Sequence, residues 1–178
     1  MLSAIHNRFF NLATWPFVAL LVVVFILCQQ GFAWRQRALG GLSEVPDARF
    51  GYTPGEIRSL FEDWGVGRRE LYARTEVTLD LAFPLVYGTL FAVFSARLFR
   101  KGLWRWALLV PLSGALADLI ENFMIAYLAW SYDGHESPLV RVAACFTEVK
   151  LVCFIASLLL LLAGGVAGLR RDETSIPI

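Results

Sequence analysis

Charged side chains inside apolar stretches are the residues of this chain that could do chemistry. Asp118 and Glu121 interrupt one apolar run, Glu148 and Lys150 interrupt another, and Asp80 stands at the start of a third. An ionised carboxylate at the centre of a membrane costs about 2.5–3.5 kcal/mol on insertion scales. Such a group must face inward, pair with a cation, take up a proton or contact water. If it is left unpaired, it could serve as a proton donor or acceptor.

Helical spacing puts the polar residues of each run on shared faces. Asp80 falls on one stripe with Glu76 and Tyr87, and Asn122 falls on the face of Asp118. Because antiparallel helices rise about 1.5 Å per residue, these groups reach the same half of a four-helix bundle. The side chains expected in this polar layer are Gln29, Gln30, Asp80, Asp118, Glu121, Asn122, Glu148 and Lys150.

Few bases accompany the acids of the polar layer. Lys150 is the expected counter-ion for its carboxylates, and Arg141, at shallower depth, is expected to serve Glu76 or Asp80. The acids outnumber the bases, which pure ion pairing would not require. This excess supports a ligand site, and a structural network of interhelical hydrogen bonds stays open as the alternative.

The composition places the polar layer in a membrane protein. Hydrophobic residues make up 57% of the 178 residues and charged residues 17%, with a mean hydropathy of +0.59. Ordinary soluble chains contain about 45–50% apolar and about 25% charged residues. A net charge of only +1 provides no basic surface for nucleic acid, and the hydrophobicity excludes a disordered chain. The expected partner is the lipid bilayer, and no nucleic acid is expected.

Four apolar runs are long enough to cross a membrane, which takes about 20 residues. They predict spans at about 15–34, 76–98, 104–130 and 138–166 in a single transmembrane domain of residues 1–178. The predicted fold class is all-α, an integral membrane four-helix antiparallel bundle. The first run could instead be a signal peptide cleaved near Ala33, but it exceeds the usual signal core of about 7–15 residues.

The extramembrane loop of about residues 35–74 contains a predicted amphipathic helix. Thr53, Pro54 and Glu56 have the types and spacing of an N-cap, a first-position proline and the third residue of a capping box. Gly65 and Gly67 are expected to end this helix. We expect it to lie on the membrane face or to form a lid on the bundle. A packed cap that only covers helix ends is the alternative.

Basic residues in the flanks favour one orientation. The tight loop between the second and third spans holds Arg97, Arg100, Lys101 and Arg105 and no acid. Because cytoplasmic loops carry the basic excess, both termini are expected in the cytoplasm. The long first loop is also rich in arginine, so the reverse orientation stays open. A preference for arginine over lysine indicates a GC-rich bacterial genome and hence a bacterial cytoplasmic membrane.

The sequence lacks the motifs of metal, cofactor and nucleophilic chemistry. His6 and His135 lie in the N-terminal tail and a short loop, and the Glu-x-x-His pair of di-metal bundles does not occur. Cys28, Cys145 and Cys153 are odd in number and form no CxxC, which is typical of small apolar core residues. No P-loop, GxGxxG or GxSxG is present. We therefore predict no metal and no cofactor.

Four spans with acids on the second and third resemble the layout of the EXPERA-type sterol isomerase and sigma-2 receptor proteins. Asp80 on the second span, and Asp118 and Glu121 on the third, carry this resemblance. The histidine- and tryptophan-containing site motifs of those families have no residue-by-residue counterpart in this chain. The resemblance is therefore one of layout, and no site residue is carried over from it.

The first predicted function is to bind a lipid-like or amphipathic small molecule in an acid-lined intramembrane cavity. A buried carboxylate beside apolar walls offers such a molecule one polar contact and an apolar surface. The predicted contacts, in falling order of weight, are Asp118, Glu121, Asp80 and Glu148, with Asn122 as an orienting amide and Lys150 as the counter-charge.

Two other functions stay open, as does the question of whether the protein is an enzyme. The first is a non-enzymatic accessory subunit, whose Gly164–Gly168 face would pack against a second copy or a partner membrane subunit. The second is an intramembrane proton-transfer enzyme of isomerase type, with Asp118 or Glu121 as acid or base. A cavity lined by those two acids would favour a ligand. A filled layer in which Lys150 bonds two carboxylates would favour a structural network.

Overall fold

The computed structural model describes residues 2–40, 45–100 and 102–173 and is 86% helical. The predicted all-α bundle is confirmed, and no strand occurs in the described ranges. Two short 3-10 helices, Pro46–Ala48 and Gly102–Leu108, lie between the longer elements. The α-helices are α1 (Leu2–Leu12), α2 (Trp15–Ala38), α3 (Pro54–Glu76), α4 (Leu79–Leu98), α5 (Leu109–Trp130) and α6 (Leu139–Glu173).

Four segments are long and apolar enough to span a membrane, which indicates an integral membrane protein. The most apolar windows of the second and third segments are 50% buried, whereas those of the first and fourth are 6% and 11% buried. Helices α4 and α5 therefore form the centre of the bundle, and α2 and α6 present most of their surface to lipid. The segments are Trp15–Ala38, Pro54–Leu98, Trp104–Trp130 and Leu139–Ala167.

Small residues let the central helices approach closely. A Cβ atom on Gly88 of α4 would lie 2.6 Å from the Cβ atom of Ala115, and one on Gly114 would lie 2.8 Å from that of Cys153. A Cβ atom on Gly164 would lie 2.9 Å from the ring of Phe99. Gly164 is therefore used for packing within the chain, on the end of α4. The surroundings of Gly168 fall outside the described side chains.

Helix α3 and the preceding residues 45–53, together called the cap, cover one end of the bundle. The predicted capping box is confirmed: Thr53 Oγ1 accepts from the amide of Glu56 at 3.3 Å, and Glu56 Oε2 accepts from the amide of Thr53 at 2.7 Å. Ile57, Phe61 and Trp64 are buried in a core with the last turns of α5 and the first turns of α6. The amphipathic helix therefore packs on the bundle as a lid.

The predicted end of this helix is confirmed at Gly65, where the helix breaks, and is wrong at Gly67, which lies within a second helical stretch. Gly65 does leave the helical conformation, with φ 62° and ψ −176°, a region that essentially only glycine adopts. Helix α3 then resumes and runs on to Glu76. Its second half buries Tyr72 and Ala73 in the same core as its first half, and this packing stabilises the continued helix.

Replacing Thr53 with alanine is expected to lower the free energy of unfolding by about 1 kcal/mol, the usual contribution of an N-cap side chain. The change removes the acceptor for the Glu56 amide at an exposed site and leaves the core intact. Unfolding in detergent by titrated denaturant measures the difference. Ser59→Ala, exposed on the same helix, is the control and is expected to have almost no effect. Equal losses for both variants would contradict the capping role.

Candidate functional site

Arg35 lies at the centre of a buried ion cluster beneath the cap. Its Nη1 donates to Oε1 of Glu76 at 2.6 Å and to Oδ2 of Asp80 at 3.3 Å. Its Nη2 donates to Oδ2 of Asp47 at 3.0 Å. Arg35 and Asp80 are each 3% exposed, and Glu76 is fully buried. We call Arg35, Asp47, Glu76 and Asp80 the Arg35 cluster.

The counter-ion of Glu76 and Asp80 is therefore Arg35, and the expectation that Arg141 fills this role is wrong. Arg141 lies exposed near the start of α6. The sequence interpretation placed Arg35 in the loop, whereas α2 extends to Ala38 and turns Arg35 inward. Cys28 and Arg35, about two turns apart, are the two buried residues of α2, but only the folded structure shows their burial.

Asp47 joins the Arg35 cluster from the 3-10 helix Pro46–Ala48. Its Oδ1 accepts a hydrogen bond from Tyr72 Oη at 2.9 Å. Burial by itself raises the pKa of Asp47, but the nearby charges of Arg35 and Lys150 and the two hydrogen bonds hold that pKa below its ordinary value of 3.8. Asp47 is thus ionised at neutral pH. It ties the loop to α2 and α3, and no pattern in the sequence identified it.

Lys150 lies at the centre of a second cluster, deeper in the bundle. Its Nζ donates to Oδ1 of Asp118 at 3.0 Å and to Oε2 of Glu121 at 2.6 Å. Tyr87 Oη donates to Oδ2 of Asp118 at 3.1 Å, and Tyr52 Oη donates to Oε1 of Glu121 at 3.4 Å. Both carboxylates are therefore bonded through both oxygens. We call Lys150, Asp118 and Glu121 the Lys150 cluster.

Asn122 donates a hydrogen bond to a backbone carbonyl of α4 that has no partner within its own helix. Pro84 has no amide hydrogen, so the carbonyl of Asp80 loses its normal helical partner. Asn122 Nδ2 donates to that carbonyl at 2.6 Å and satisfies it from the neighbouring helix. The amide thus fixes the backbone that carries the Asp80 carboxylate. This role differs from the orienting contact with a ligand that the sequence suggested.

Glu148 lies apart from the two clusters. It is exposed on α6, and its Oε1 would lie 2.8 Å from a Cβ atom on Gly51 in the cap. Lys150 is buried on another face of the same helix. The structure therefore brings together Asp80, Asp118, Glu121, Asn122 and Lys150, and it leaves Glu148 at the surface.

A cavity of about 530 Å³ opens beside the two clusters. Residues of α2, α4, α5, α6 and the loop after α2 line it. Of the predicted contacts, Asp80, Asp118 and Lys150 line this cavity, whereas Glu121, Asn122 and Glu148 do not. Its charged lining residues are Arg35, Asp47, Asp80, Asp118 and Lys150.

The remaining wall of the cavity is largely apolar. Phe32 of α2, Phe83 of α4, and Leu151 and Phe154 of α6 contribute to it. The rings of Phe32 and Phe83 meet edge to face with centroids 5.1 Å apart, which stabilises this side of the wall. The cavity therefore offers a charged surface and an aromatic surface to the same occupant.

The structure thus contains features of both expected arrangements. Lys150 bonds two carboxylates, as in a structural network, and a large cavity lies beside Asp118, as in a ligand site. Glu121 is excluded from that cavity because it is fully buried between Lys150 and Tyr52. The acid available to an occupant beside Asp118 is Asp80 and not Glu121.

Acids outnumber bases in the two clusters. Asp47, Glu76, Asp80, Asp118 and Glu121 face two cations, Arg35 and Lys150, so the formal charge is −3 when every group is ionised. Oxygens of Asp47, Glu76 and Asp80 lie within 4.8 Å of one another, a spacing that suits a metal ion. The Arg35 guanidinium already bonds all three carboxylates and neutralises part of their charge.

Comparison with protein-family models, with curated proteins and with solved structures finds no match to this chain. The layout shared with the sterol isomerase and sigma-2 receptor proteins therefore gains no support from these comparisons. The function must be argued from the cavity and the two clusters themselves.

Proposed function

We propose that the protein binds a lipid-like or amphipathic small molecule in the cavity beside the two ion clusters. The observation that carries this proposal is the pairing of a charged floor with an aromatic wall in one cavity of about 530 Å³. Ligand sites typically measure about 300–1,000 Å³ and combine apolar walls with a few placed polar groups. The polar head would lie against Asp80 and Asp118, and the tail against Phe83 and Phe154.

Asp80 is the acceptor best placed for a headgroup. Among the hydrogen bonds of the described residues, its Oδ2 accepts only the 3.3 Å bond from Arg35, and its Oδ1 accepts none. Asp47 and Asp118, the other acids in the lining, are bonded through both oxygens. A hydroxyl or amine on the ligand would donate the further hydrogen bonds that the Asp80 carboxylate can accept. Asn122 supports this contact by holding the Asp80 backbone.

Access from the bilayer is consistent with the helix arrangement. Helices α2 and α6 each pack against α4, and both contribute residues to the cavity wall. Phe32 on α2 and Phe154 on α6 are partly exposed. An amphipathic molecule can therefore enter sideways between these two helices, with its tail still in lipid. This route supports a membrane-borne ligand over a water-soluble one.

A structural role for the layer is the competing function. The contacts of Lys150 with Asp118 and Glu121 favour it, because such bonds hold α5 and α6 together without any ligand. The two functions make different predictions about the cavity. If the network is purely structural, filling the cavity with a larger side chain should change neither the stability of the protein nor the lipids bound to it.

Replacing Leu151 with tryptophan tests the proposal, because the larger side chain fills the cavity without removing any charged group. We expect native mass spectrometry to show at least a fivefold loss of co-purified small molecules from this variant. Leu159→Trp, on the lipid-facing side of the same helix, is the control and should retain them. Equal retention by both variants, or no small molecule bound to the unaltered protein, would refute the proposal.

A further inference from the structure

We propose a second, separate site that holds an anionic phospholipid at the end of the bundle opposite the cap. Its phosphate would lie on Arg97 and Arg100, and one acyl chain would fill the groove between α2 and α4. This site shares no residue with the cavity of the proposed function, so either proposal can fail without the other.

Two guanidinium groups contact one aromatic ring. Those of Arg97 and Arg100 lie 4.9 Å and 5.1 Å from the centroid of the Phe10 ring. Both side chains are exposed, and Arg97 also donates to the backbone carbonyl of Ala13. Two like charges on the same ring repel each other, and an anion that bonds both would relieve this repulsion. A phosphate diester supplies that anion, and guanidinium groups bind it through paired hydrogen bonds.

No carboxylate lies close to these two arginines along the chain. No Asp or Glu occurs from residue 1 to 43 or from residue 81 to 117, the stretches that hold α1, α2, α4 after Asp80 and the 3-10 helix Gly102–Leu108. Among the described residues, the ion pairs of the chain all lie at or near the cap. Arg97 and Arg100 thus have no carboxylate partner among the side chains that the structure describes.

An apolar groove of about 210 Å³ begins at Arg97. Its other lining residues, Ala13, Trp15, Val18, Val93 and Phe94, carry no charge. Arg97 thus stands where a charged headgroup and an apolar chain would meet. The volume suits part of an acyl chain, and the walls come from the first turns of α2 and the last turns of α4.

Exposed tryptophans place this site at the level of the lipid headgroups. Trp15 is 87% exposed, and Trp104 and Trp106 are 63% and 54% exposed. Tryptophan concentrates at the membrane–water interface, where one side of the ring is wet and the other is apolar. Helix α1 packs against α4 and the 3-10 helix beside them, with His6 contacting the carbonyl of Phe99 at 3.0 Å. The two guanidinium groups therefore lie at the depth of phosphate groups.

The test compares two lipids that differ only in headgroup charge. The protein is incubated with equal amounts of phosphatidylglycerol and phosphatidylcholine of the same acyl chains, and native mass spectrometry counts the lipids retained. We expect at least a fivefold preference for phosphatidylglycerol. Arg97→Gln combined with Arg100→Gln should reduce this preference to less than twofold. Arg68→Gln combined with Arg141→Gln removes the same charge at the cap end and should leave the preference unchanged.

Each other outcome overturns the site. If the unaltered protein retains the two lipids equally, it does not recognise the charge of the headgroup. If both double variants lose the preference equally, the preference depends on the net charge of the protein and not on Arg97 and Arg100. If inorganic phosphate at the same concentration as the lipid displaces it, the arginines bind phosphate alone and the groove does not contribute to binding. If the Arg97 change disturbs folding through its Ala13 contact, Arg100→Gln alone, at an exposed side chain that donates to the carbonyl of Arg97, must still lower the preference at least twofold.

Discussion

Replacing Arg35 with methionine is expected to lower the free energy of unfolding by about 3–5 kcal/mol, the usual cost of removing one partner from a buried ion pair. Methionine keeps much of the side-chain volume but leaves Asp47, Glu76 and Asp80 without their shared cation. Denaturant titration in mixed micelles, followed by tryptophan fluorescence, measures the change.

The control for this variant is Arg141→Met, which removes the same charge from an exposed position on α6. Surface changes of this kind usually shift stability by no more than about 0.5 kcal/mol. A similar small effect for Arg35→Met would show that the three carboxylates are protonated and hold together without the guanidinium. Arg35→Lys should fall between the two, because an ammonium cannot reach three acids with paired hydrogen bonds.

Replacing Lys150 with methionine is expected to lower the free energy of unfolding by a similar amount, about 3–5 kcal/mol, because Asp118 and Glu121 remain buried without a cation. The same unfolding titration measures it. The informative comparison is the triple variant Lys150→Met, Asp118→Asn and Glu121→Gln. Since it removes the charges together, it should recover more than half of the loss.

A triple variant no more stable than Lys150→Met would mean that the lysine stem contributes through packing and that its charge is secondary. The exposed pair Arg58 and Glu62, 2.9 Å apart, supplies the comparison for an ion pair in water. Breaking it by Arg58→Met should cost at most about 1 kcal/mol. We therefore expect the loss of stability on removing one partner of an ion pair to depend on how deeply the pair is buried.

The fold could be predicted from the sequence because its signals are local. Hydropathy locates the spans, and Thr53 with Glu56 marks the start of α3. The end of α3 could not be predicted in this way. Gly65 carries a stop signal, but packing of Tyr72 beyond it stabilises further helix, and that packing depends on residues far away in the chain.

The site could be predicted only in part, for the same reason. Asp118, Glu121 and Lys150 stand out because charge is conspicuous within an apolar run. Arg35 and Asp47 lie in polar stretches of the sequence, where charge is ordinary, and only the fold brings them together with Glu76 and Asp80. The cavity depends on how α2 and α6 pack on α4, which helical periodicity does not specify.

The Arg35 cluster also has a consequence for the order in which the chain enters the membrane. Two of the partners of Arg35, Glu76 and Asp80, follow it by 41 and 45 residues. The ribosome therefore delivers α2 to the translocon before these partners exist. We expect Arg35 to stay in the headgroup layer, where its charge is hydrated, until the second span is inserted. Arg35 thus reaches its buried position only after the second span is in place.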